Sequence, residues 1–202
     1  RDGQRRRRCG RRLGFRLGCI AVLVQLLRTT LKLARCHGVV VGAHPGLPDL
    51  VGFGRRELEV TPAAVEDLVL YEVAAVRGVA AAEGVALHHV KPHGALYTMS
   101  ARRRDIATAV ARAVASIDSS LVIFGPPGSE LLKAAGEAHL RAAVEGFADR
   151  SYESDGSLAS RSKPGALITD VDLLVRRAVR MVSEGVVSTL DGADLPLTVD
   201  TL

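Results

Sequence analysis

The chain has no tryptophan, few aromatic residues of any kind (3%) and only three cysteines, all within its first 36 residues. The cysteines are odd in number, and no two of them have the spacing typical of metal ligands, so neither a disulfide framework nor a zinc site is predicted. They favour a reducing, cytoplasmic setting. Long apolar runs are also missing. Residues 17–27 are apolar, but Arg28 and Lys32 follow too soon for a membrane span of about 20 residues.

Several motifs that define large enzyme classes are absent as well. The sequence contains no Gly-x-Ser-x-Gly nucleophile motif, no Gly-x-x-x-x-Gly-Lys-Ser/Thr phosphate loop and no dinucleotide-binding glycine pattern after a strand. These absences argue against acyl-enzyme hydrolases and against NAD-dependent enzymes.

Charge is distributed unevenly along the chain. Residues 1–16 contain eight arginines and one aspartate, a net charge of +7, whereas the whole chain carries only +5. Such a tail attracts phosphate backbones or anionic membranes. With Phe15 as its only aromatic residue, however, it offers little base stacking, so a disordered arm is favoured and neither nucleic acid nor membrane is an expected partner.

The apolar segment after the tail resembles a targeting sequence, but apolar residues at 23, 27, 31 and 34 favour a helix.

The rest of the chain alternates strand-like and helix-like segments. Short runs rich in β-branched residues begin near residues 39, 85, 121 and 142, and amphipathic segments separate them. Helices are predicted after Thr61, along the apolar stripe of Ile106, Val110, Val114 and Ile117, and near Val171 to Ser183. At 202 residues this pattern predicts one α/β domain with a parallel sheet, either open and doubly wound or closed as a barrel.

Polar clusters follow three of the apolar runs directly. His44 follows the first run, Lys91 and His93 follow the second, and Asp149 follows the run that begins near residue 142. The carboxyl ends of parallel strands meet at one edge, where ligands bind in such folds. We therefore expect these side chains to line one site.

The residue types at this edge suggest acid–base and anion-binding roles. His44, His93 and Asp149 are candidate proton carriers, and Lys91 is a candidate to hold an anion or a developing oxyanion. Asp49, in the Gly- and Pro-rich loop after His44, could ligate a metal, carry a proton or simply order a turn. Two arginines of the loop after residue 148 could clamp a carboxylate in a bidentate manner: Arg150 and Arg161.

These segments closely resemble the LamB/YcsF family, to which the A subunit of 5-oxoprolinase belongs. The motifs that carry the resemblance are Val-Gly-Ala-His-Pro-Gly-Leu-Pro-Asp at 41–49, Gly-Phe-Gly-Arg-Arg at 52–56, Val-Lys-Pro-His-Gly-Ala-Leu-Tyr at 90–97, Phe-Ala-Asp-Arg-Ser-Tyr at 147–152, Arg161, and Pro-Gly-Ala-Leu-Ile at 164–168. They keep the family's order and spacing from about Leu26 to the last residue.

The resemblance implies an irregular seven-stranded β/α barrel of the glycoside hydrolase/deacetylase type. It also implies ATP-dependent ring opening of 5-oxoproline, or of a related small lactam, by a complex with two further subunits, with ATP and Mg acting through that complex. A metal ion of the chain's own stays unassigned. His44, His93 and Asp149 are then the expected catalytic residues. The expected substrate-binding residues are Asp49, Arg55, Lys91, Arg150 and Arg161.

Two family segments are missing from the sequence. The opening Asp-Leu-Asn-x-Asp-x-Gly-Glu strand with its following Gly-Phe-His-Ala-Gly-Asp motif is absent, and so is the Cys-Val-His-Gly-Asp continuation after Leu202. We therefore expect residues 1–19 to be a disordered, Arg-rich tail outside the family pattern. Residues 20–202 are expected to form a barrel that lacks N-terminal and C-terminal pieces.

Two other functions remain open from the sequence. The barrel type alone allows a metal-dependent deacetylase or another carbohydrate-active hydrolase, although analogy of fold is weak support for a function. An inactive fragment whose basic tail binds nucleic acid or a membrane is the second alternative.

Overall fold

The computed structural model describes residues 13–15 and 20–202, with side chains from residue 24 onward. In chain order, the elements in these residues are β1 (Leu13–Phe15), α1 (Ile20–Cys36), β2 (Val41–Ala43), α2 (Pro62–Ala82), β3 (Leu87–Val90), α3 (Gly94–Arg102), α4 (Arg104–Ile117), β4 (Val122–Gly125), α5 (Glu130–Glu137), β5 (Arg141–Val144), α6 (Val171–Ser183), β6 (Val186–Ser188) and β7 (Asp194–Pro196).

The first five strands form one parallel sheet whose spatial order follows the chain, from β1 to β5. At least one helix separates each strand from the next in sequence. The predicted α/β fold with a parallel sheet is therefore confirmed. The strands β6 and β7 form a separate antiparallel pair.

The main hydrophobic core lies between this sheet and the helices. Ile106, Val110 and Val114, the stripe predicted for α4, are completely buried in it. Helix α1 contributes Leu31, which is also fully buried, in agreement with the periodicity of that segment. A smaller core cluster under α6 and the β6–β7 pair contains Tyr152, Met181, Val187 and Leu197.

Capping residues set the ends of the helices as the sequence predicts. The Thr61 hydroxyl accepts a hydrogen bond from the Ala64 N–H at 3.2 Å, and Pro62 begins α2. Gly84, at φ +68°, follows the end of that helix. The Asp170 carboxylate accepts a hydrogen bond from the Leu173 N–H at 2.9 Å, which starts α6 at the predicted residue.

Two elements differ from the expectation. Helix α3 was not predicted as a separate helix, because the apolar stripe read from the sequence begins only at Ile106. The backbone of Arg103 is extended, with φ −105° and ψ 111°, and this conformation separates α3 from α4. Strand β1 lies within the segment assigned to the tail, where it pairs in parallel with β2. The rest of that tail, residues 1–12 and 16–19, lies outside the described residues.

A closed seven-stranded barrel is not seen in the described residues. Their five parallel strands form an open sheet, and the other two strands pair only with each other. Beyond the β5 edge, Thr201 forms a parallel bridge with Glu145, and the Asp200 N–H donates to the Val144 carbonyl at 2.8 Å.

Candidate functional site

A cavity of about 530 Å³ opens at the carboxyl ends of the parallel strands. His44 follows β2, Lys91 and His93 follow β3, and Arg150 lies in the loop after β5. The charged and imidazole side chains in the cavity wall are His44, Arg55, Glu57, Lys91, His93, Arg102, Arg150 and Arg161. The volume suits a small metabolite.

The loop after β2 is held by its own carboxylate. Asp49 is buried, accepts the Gly52 N–H at 2.8 Å and forms an ion pair with Arg56. The hydrogen bond from the Arg56 side chain is the largest influence and lowers the pKa of Asp49 well below its ordinary value. Asp49 thus orders the loop that carries His44 and Arg55.

The two histidines contact each other directly. Nδ1 of His93 lies 2.8 Å from Nε2 of His44, and the ring centroids are 4.7 Å apart in an edge-to-face arrangement. Nδ1 of His44 lies 2.6 Å from the Lys91 carbonyl, and Nε2 of His93 lies 2.7 Å from the Phe53 carbonyl. All four ring nitrogens therefore take part in one continuous chain of polar contacts.

Lys91 is paired with a buried glutamate. Its ammonium nitrogen lies 2.7 Å from Oε1 of Glu145 and 5.0 Å from the centre of the Phe147 ring. The Tyr97 hydroxyl donates to Oε2 of the same carboxylate at 3.2 Å. Burial, reinforced by the negative charge of Glu145, raises the pKa of Tyr97 well above its ordinary value, so this hydroxyl stays protonated.

Arg55, Arg150 and Arg161 bring positive charge to the same cavity wall. Nη2 of Arg150 donates to the Ala159 carbonyl at 2.6 Å, whereas its buried Nε finds no hydrogen-bond partner among the residues that the structure describes. Burial lowers the pKa of Arg150, and the neighbouring charges of Arg161 and Arg55 act in the same direction. Clustered guanidinium groups with an unused buried donor are suited to an anion.

The backbone of this arginine loop is held by Arg177 of α6. Its guanidinium donates to three carbonyl oxygens, those of Ala148 at 3.2 Å, Ser188 at 3.0 Å and Arg150 at 3.0 Å. The fork of guanidinium donors allows one side chain to join the β5 loop to the β6–β7 pair.

The structure brings six of the eight predicted site residues to one cavity. These are His44, Arg55, Lys91, His93, Arg150 and Arg161. The other two lie outside its wall. Asp49 is buried in its own loop, and Asp149 is exposed, where its charge stabilises the Arg150 cation. The catalytic role of Asp149 stays a prediction.

Sequence reasoning did not select Glu145, Tyr97 or Arg177. Glu145 directly follows β5, so the rule that ligands bind beyond strand ends could have found it. Tyr97 stands in the motif at 90–97, but nothing in its spacing distinguishes a partner of Glu145 from a core tyrosine. The contacts of Arg177 join segments far apart in sequence, and no local sequence pattern predicts them.

Metal ligation and membrane insertion each require a recognisable arrangement of residues. Among the residues that the structure describes, no group of three or more His, Cys, Asp or Glu side chains is placed to hold a metal ion. Within the same residues, no helix has the length and apolar character that crossing a membrane requires.

The fold and the cavity define an α/β protein with a cationic site for small molecules at the strand ends. A sequence model of the LamB/YcsF family matches residues 18–202. The chain belongs to the LamB/YcsF family.

Curated relatives and a solved structure are similar over most of the chain. The 5-oxoprolinase A subunit from Bordetella pertussis (strain Tohama I) is 51% identical over 176 residues, which cover 87% of this chain and 70% of that protein. The protein of the same name from Bacillus subtilis (strain 168) is 47% identical over 189 residues, or 94% and 72%. The crystal structure of the lactam utilization protein from Thermus thermophilus superposes with a TM-score of 0.84 at 47% identity and covers 89% of this chain and 72% of that one.

Proposed function

We propose that this chain is the A-type subunit of an ATP-coupled 5-oxoprolinase, a hydrolase that opens the ring amide of 5-oxoproline to give glutamate. The names of the relatives support this reaction. The observation that carries the proposal is the cluster of Arg55, Arg150 and Arg161 in the wall of a cavity that also contains two histidines and a lysine.

The arginine cluster accounts for the acidic group of the substrate. 5-Oxoproline carries a carboxylate that is ionised at neutral pH, and a bidentate guanidinium contact fits its two oxygens. Lys91 is less available for this task because Glu145 already neutralises it. We therefore assign the carboxylate to Arg150 and Arg161, with Arg55 adding long-range attraction.

The remaining side chains are suited to the amide itself. Lys91, whose side chain is 29% exposed, presents its ammonium to the cavity and would stabilise the negative charge that grows on the carbonyl oxygen as water attacks. His44 and His93 would then deliver the proton that the ring nitrogen needs when the C–N bond breaks. The exposed Asp149 remains a proposed third proton carrier, although the steps above do not depend on it.

ATP enters this proposal through the complex. The cationic wall formed by Arg55, Arg150 and Arg161 fits phosphate oxygens as well as carboxylate oxygens. Two carboxylates near the cavity are already paired, Glu57 with Arg102 and Glu145 with Lys91, so these two residues supply no free ligand for Mg. ATP supplies activation of the otherwise unreactive amide carbonyl, and two further subunits are the proposed partners.

We also propose a barrel architecture, a domain boundary and a cellular location for this chain. A seven-stranded β/α barrel is supported by the five parallel strands in chain order and by the Glu145–Thr201 bridge, which extends the sheet past β5. We also retain two predictions: the family-like part of the chain begins near residue 20, with β1 as an added strand of its sheet, and the site of action is the cytoplasm, since ATP is the cosubstrate. For the deacetylase alternative, no observation in the described residues adds support.

A binding comparison with a matched neutral ligand tests the substrate assignment. 2-Pyrrolidinone has the same lactam ring without the carboxylate, so calorimetry should show at least about tenfold weaker binding than for 5-oxoproline. Arg150→Gln should reduce the affinity for 5-oxoproline towards that of the neutral ring, with Arg161 left to hold the carboxylate. Arg176→Gln, which changes an exposed arginine away from the cavity, should leave it unchanged. Equal affinity of the unchanged chain for the two ligands would contradict the assignment.

Turnover tests the reaction itself. With partner subunits and ATP, the chain should release glutamate from 5-oxoproline, and His93→Ala should stop release while circular dichroism shows an intact fold. Glutamate release at the original rate in that variant would remove His93 from the mechanism.

A further inference from the structure

We propose that His44 and His93 form one proton-sharing pair, which holds a single extra proton between Nε2 of His44 and Nδ1 of His93 and titrates as a unit. The evidence is the identity of the atoms at the two ends of their hydrogen-bonded chain. The proposal concerns the protonation of the pair and goes beyond the assignment of each ring as a proton carrier.

Both ends of the chain are backbone carbonyl oxygens, which only accept hydrogen bonds. The Lys91 carbonyl lies 2.6 Å from Nδ1 of His44, so that nitrogen must carry a hydrogen. The Phe53 carbonyl lies 2.7 Å from Nε2 of His93, so that nitrogen must carry one as well. Each ring thereby uses the single N–H of its neutral form at the outer end.

The inner contact then lacks a hydrogen if both rings are neutral. Nε2 of His44 and Nδ1 of His93 would face each other with two lone pairs at 2.8 Å. One added proton turns this repulsion into a charge-assisted N–H···N hydrogen bond and satisfies all three contacts at once. Three hydrogens on four nitrogens make the pair a monocation.

Backbone geometry fixes the outer end at Phe53. This residue has φ +55°, a left-handed conformation that bulky side chains rarely adopt. That conformation belongs to a loop held by Asp49 and by the Ala95 N–H, which donates to the Gly54 carbonyl at 2.8 Å. His93 is buried, and its backbone N–H donates to the Pro45 carbonyl at 2.7 Å, which fixes the ring from a second side.

Charged groups around the pair act on its proton in opposite directions. Arg55 in the loop, Arg102 on α3, Lys91 after β3, and Arg150 and Arg161 after β5 line the same cavity and oppose a further positive charge. Glu57 and Glu145 are paired with Arg102 and Lys91, and Glu72 of α2 accepts the Gly46 N–H at 2.8 Å beside the pair. An anion bound at the arginines would therefore strengthen the hold of the pair on its proton.

The shared proton has a use in the proposed reaction, and this step rests on the proposed function. As the inner contact opens, one imidazole gives the shared proton to the lactam nitrogen while the C–N bond breaks, and the neutral pair then takes up the proton that the attacking water releases on forming the carboxyl group. The outer N–H groups stay bound to carbonyl oxygens, so only the inner proton is transferred.

Nitrogen-15 NMR of the full chain tests the pairing without any substrate. Six histidines give assignable imidazole signals, and each of the two rings should show its outer nitrogen protonated across about pH 5 to 8. The two inner nitrogens should share one proton, detected as coupling across the hydrogen bond, and both rings should change together when it is lost.

A variant and a control keep the result specific. In His44→Gln, His93 should titrate alone with a pKa different from that of the pair, whereas His37→Gln, at an exposed position just after α1, should leave the pair unchanged. Independent titration of the two rings in the unchanged chain would overturn the proposal. Inner nitrogens that stay unprotonated throughout would also overturn it. So would elemental analysis that finds one divalent ion per chain, lost in His44→Gln.

This measurement separates the pairing from the proposed function. Failure of glutamate release, together with a shared proton in the NMR spectra, would reject the lactam reaction and leave the pair in place. Release of glutamate by a chain whose rings titrate independently would do the reverse.

Discussion

The ammonium nitrogen of Lys91 lies 2.7 Å from Oε1 of Glu145, and the pair joins the ends of β3 and β5 across the sheet. Only 8% of the Glu145 side chain is exposed, and its second oxygen accepts the Tyr97 hydroxyl. The carboxylate therefore has a partner on both oxygens. Its position explains why the lysine ammonium stands at the cavity wall and not in bulk solvent.

Glu145→Gln should lower the free energy of unfolding by about 1–3 kcal/mol, because a charge-assisted hydrogen bond is lost where water cannot replace it well. Urea denaturation measures this change. The matched control is Glu137→Gln, which removes an ion pair with Arg104 in which both side chains are more than half exposed. That change should stay within about 0.5 kcal/mol, and equal losses in the two variants would contradict the account.

Gly94→Ala should destabilise the protein by more than a typical surface change. Gly94 has φ +54°, and an added Cβ would meet the carbonyl oxygen of Gly54 closer than van der Waals contact allows. That oxygen accepts the Ala95 N–H, so the loop carrying Phe53 must shift. We expect a loss of at least about 1 kcal/mol in urea denaturation.

Gly136→Ala is the matched control for this prediction. Gly136 lies in α5, and an added Cβ there would meet no atom of the described part of the chain within 4 Å. Alanine is the better helix former, so the variant should be neutral or more stable by up to about 1 kcal/mol. A stable Gly94→Ala protein with unchanged histidine NMR signals would show that the two loops are not in tight contact.

Acid should weaken the loop that Asp49 holds. The hydrogen bond from Arg56 lowers the pKa of Asp49 from 3.8, its ordinary value, so the carboxylate stabilises the fold above about pH 4. This contribution is lost as the pH falls through the lowered pKa of the folded state. Asp49→Asn removes it at every pH.

Urea midpoints measured from about pH 7 down to about pH 2 test this linkage. The midpoint of Asp49→Asn should lie below that of the unchanged chain at neutral pH, and the difference should shrink below about pH 4. Asp67→Asn, at an exposed position on α2, should follow the unchanged chain throughout. A constant difference across the whole range would count against the ion pair as its cause.

The helices and the parallel sheet were accessible from sequence because their signals are local. The 106, 110, 114 spacing of α4 and the Thr61–Pro62 start of α2 both depend on neighbouring residues alone. The extended backbone at Arg103 that separates α3 from α4 has no such signal. The length of the apolar segments likewise did not decide between an open sheet and a barrel.

Among the predicted site residues, those that follow a strand directly lie at the cavity for a reason that the sequence itself shows. His44 and Lys91 come immediately after β2 and β3, and His93 follows two residues later, so the common edge of a parallel sheet brings them together. Asp49 and Asp149 stand in loops, and the path of a loop depends on contacts that sequence spacing does not reveal. For Asp49 the deciding contact is its ion pair with Arg56, which holds the carboxylate inside the loop and away from the cavity wall.

Arg177→Lys tests whether α6 positions the arginines of the cavity. A lysine ammonium is a point donor on a flexible stem, so it cannot reach the three carbonyl oxygens that the Arg177 guanidinium holds together. We expect a loss of about 1–3 kcal/mol in the free energy of unfolding. Weaker 5-oxoproline binding should accompany it, because the Arg150 backbone loses its support. Arg176→Lys, on the exposed side of the same helix, should change neither quantity. If Arg177→Lys lowered stability but left binding intact, the guanidinium would support the small core under α6 without fixing the anion site.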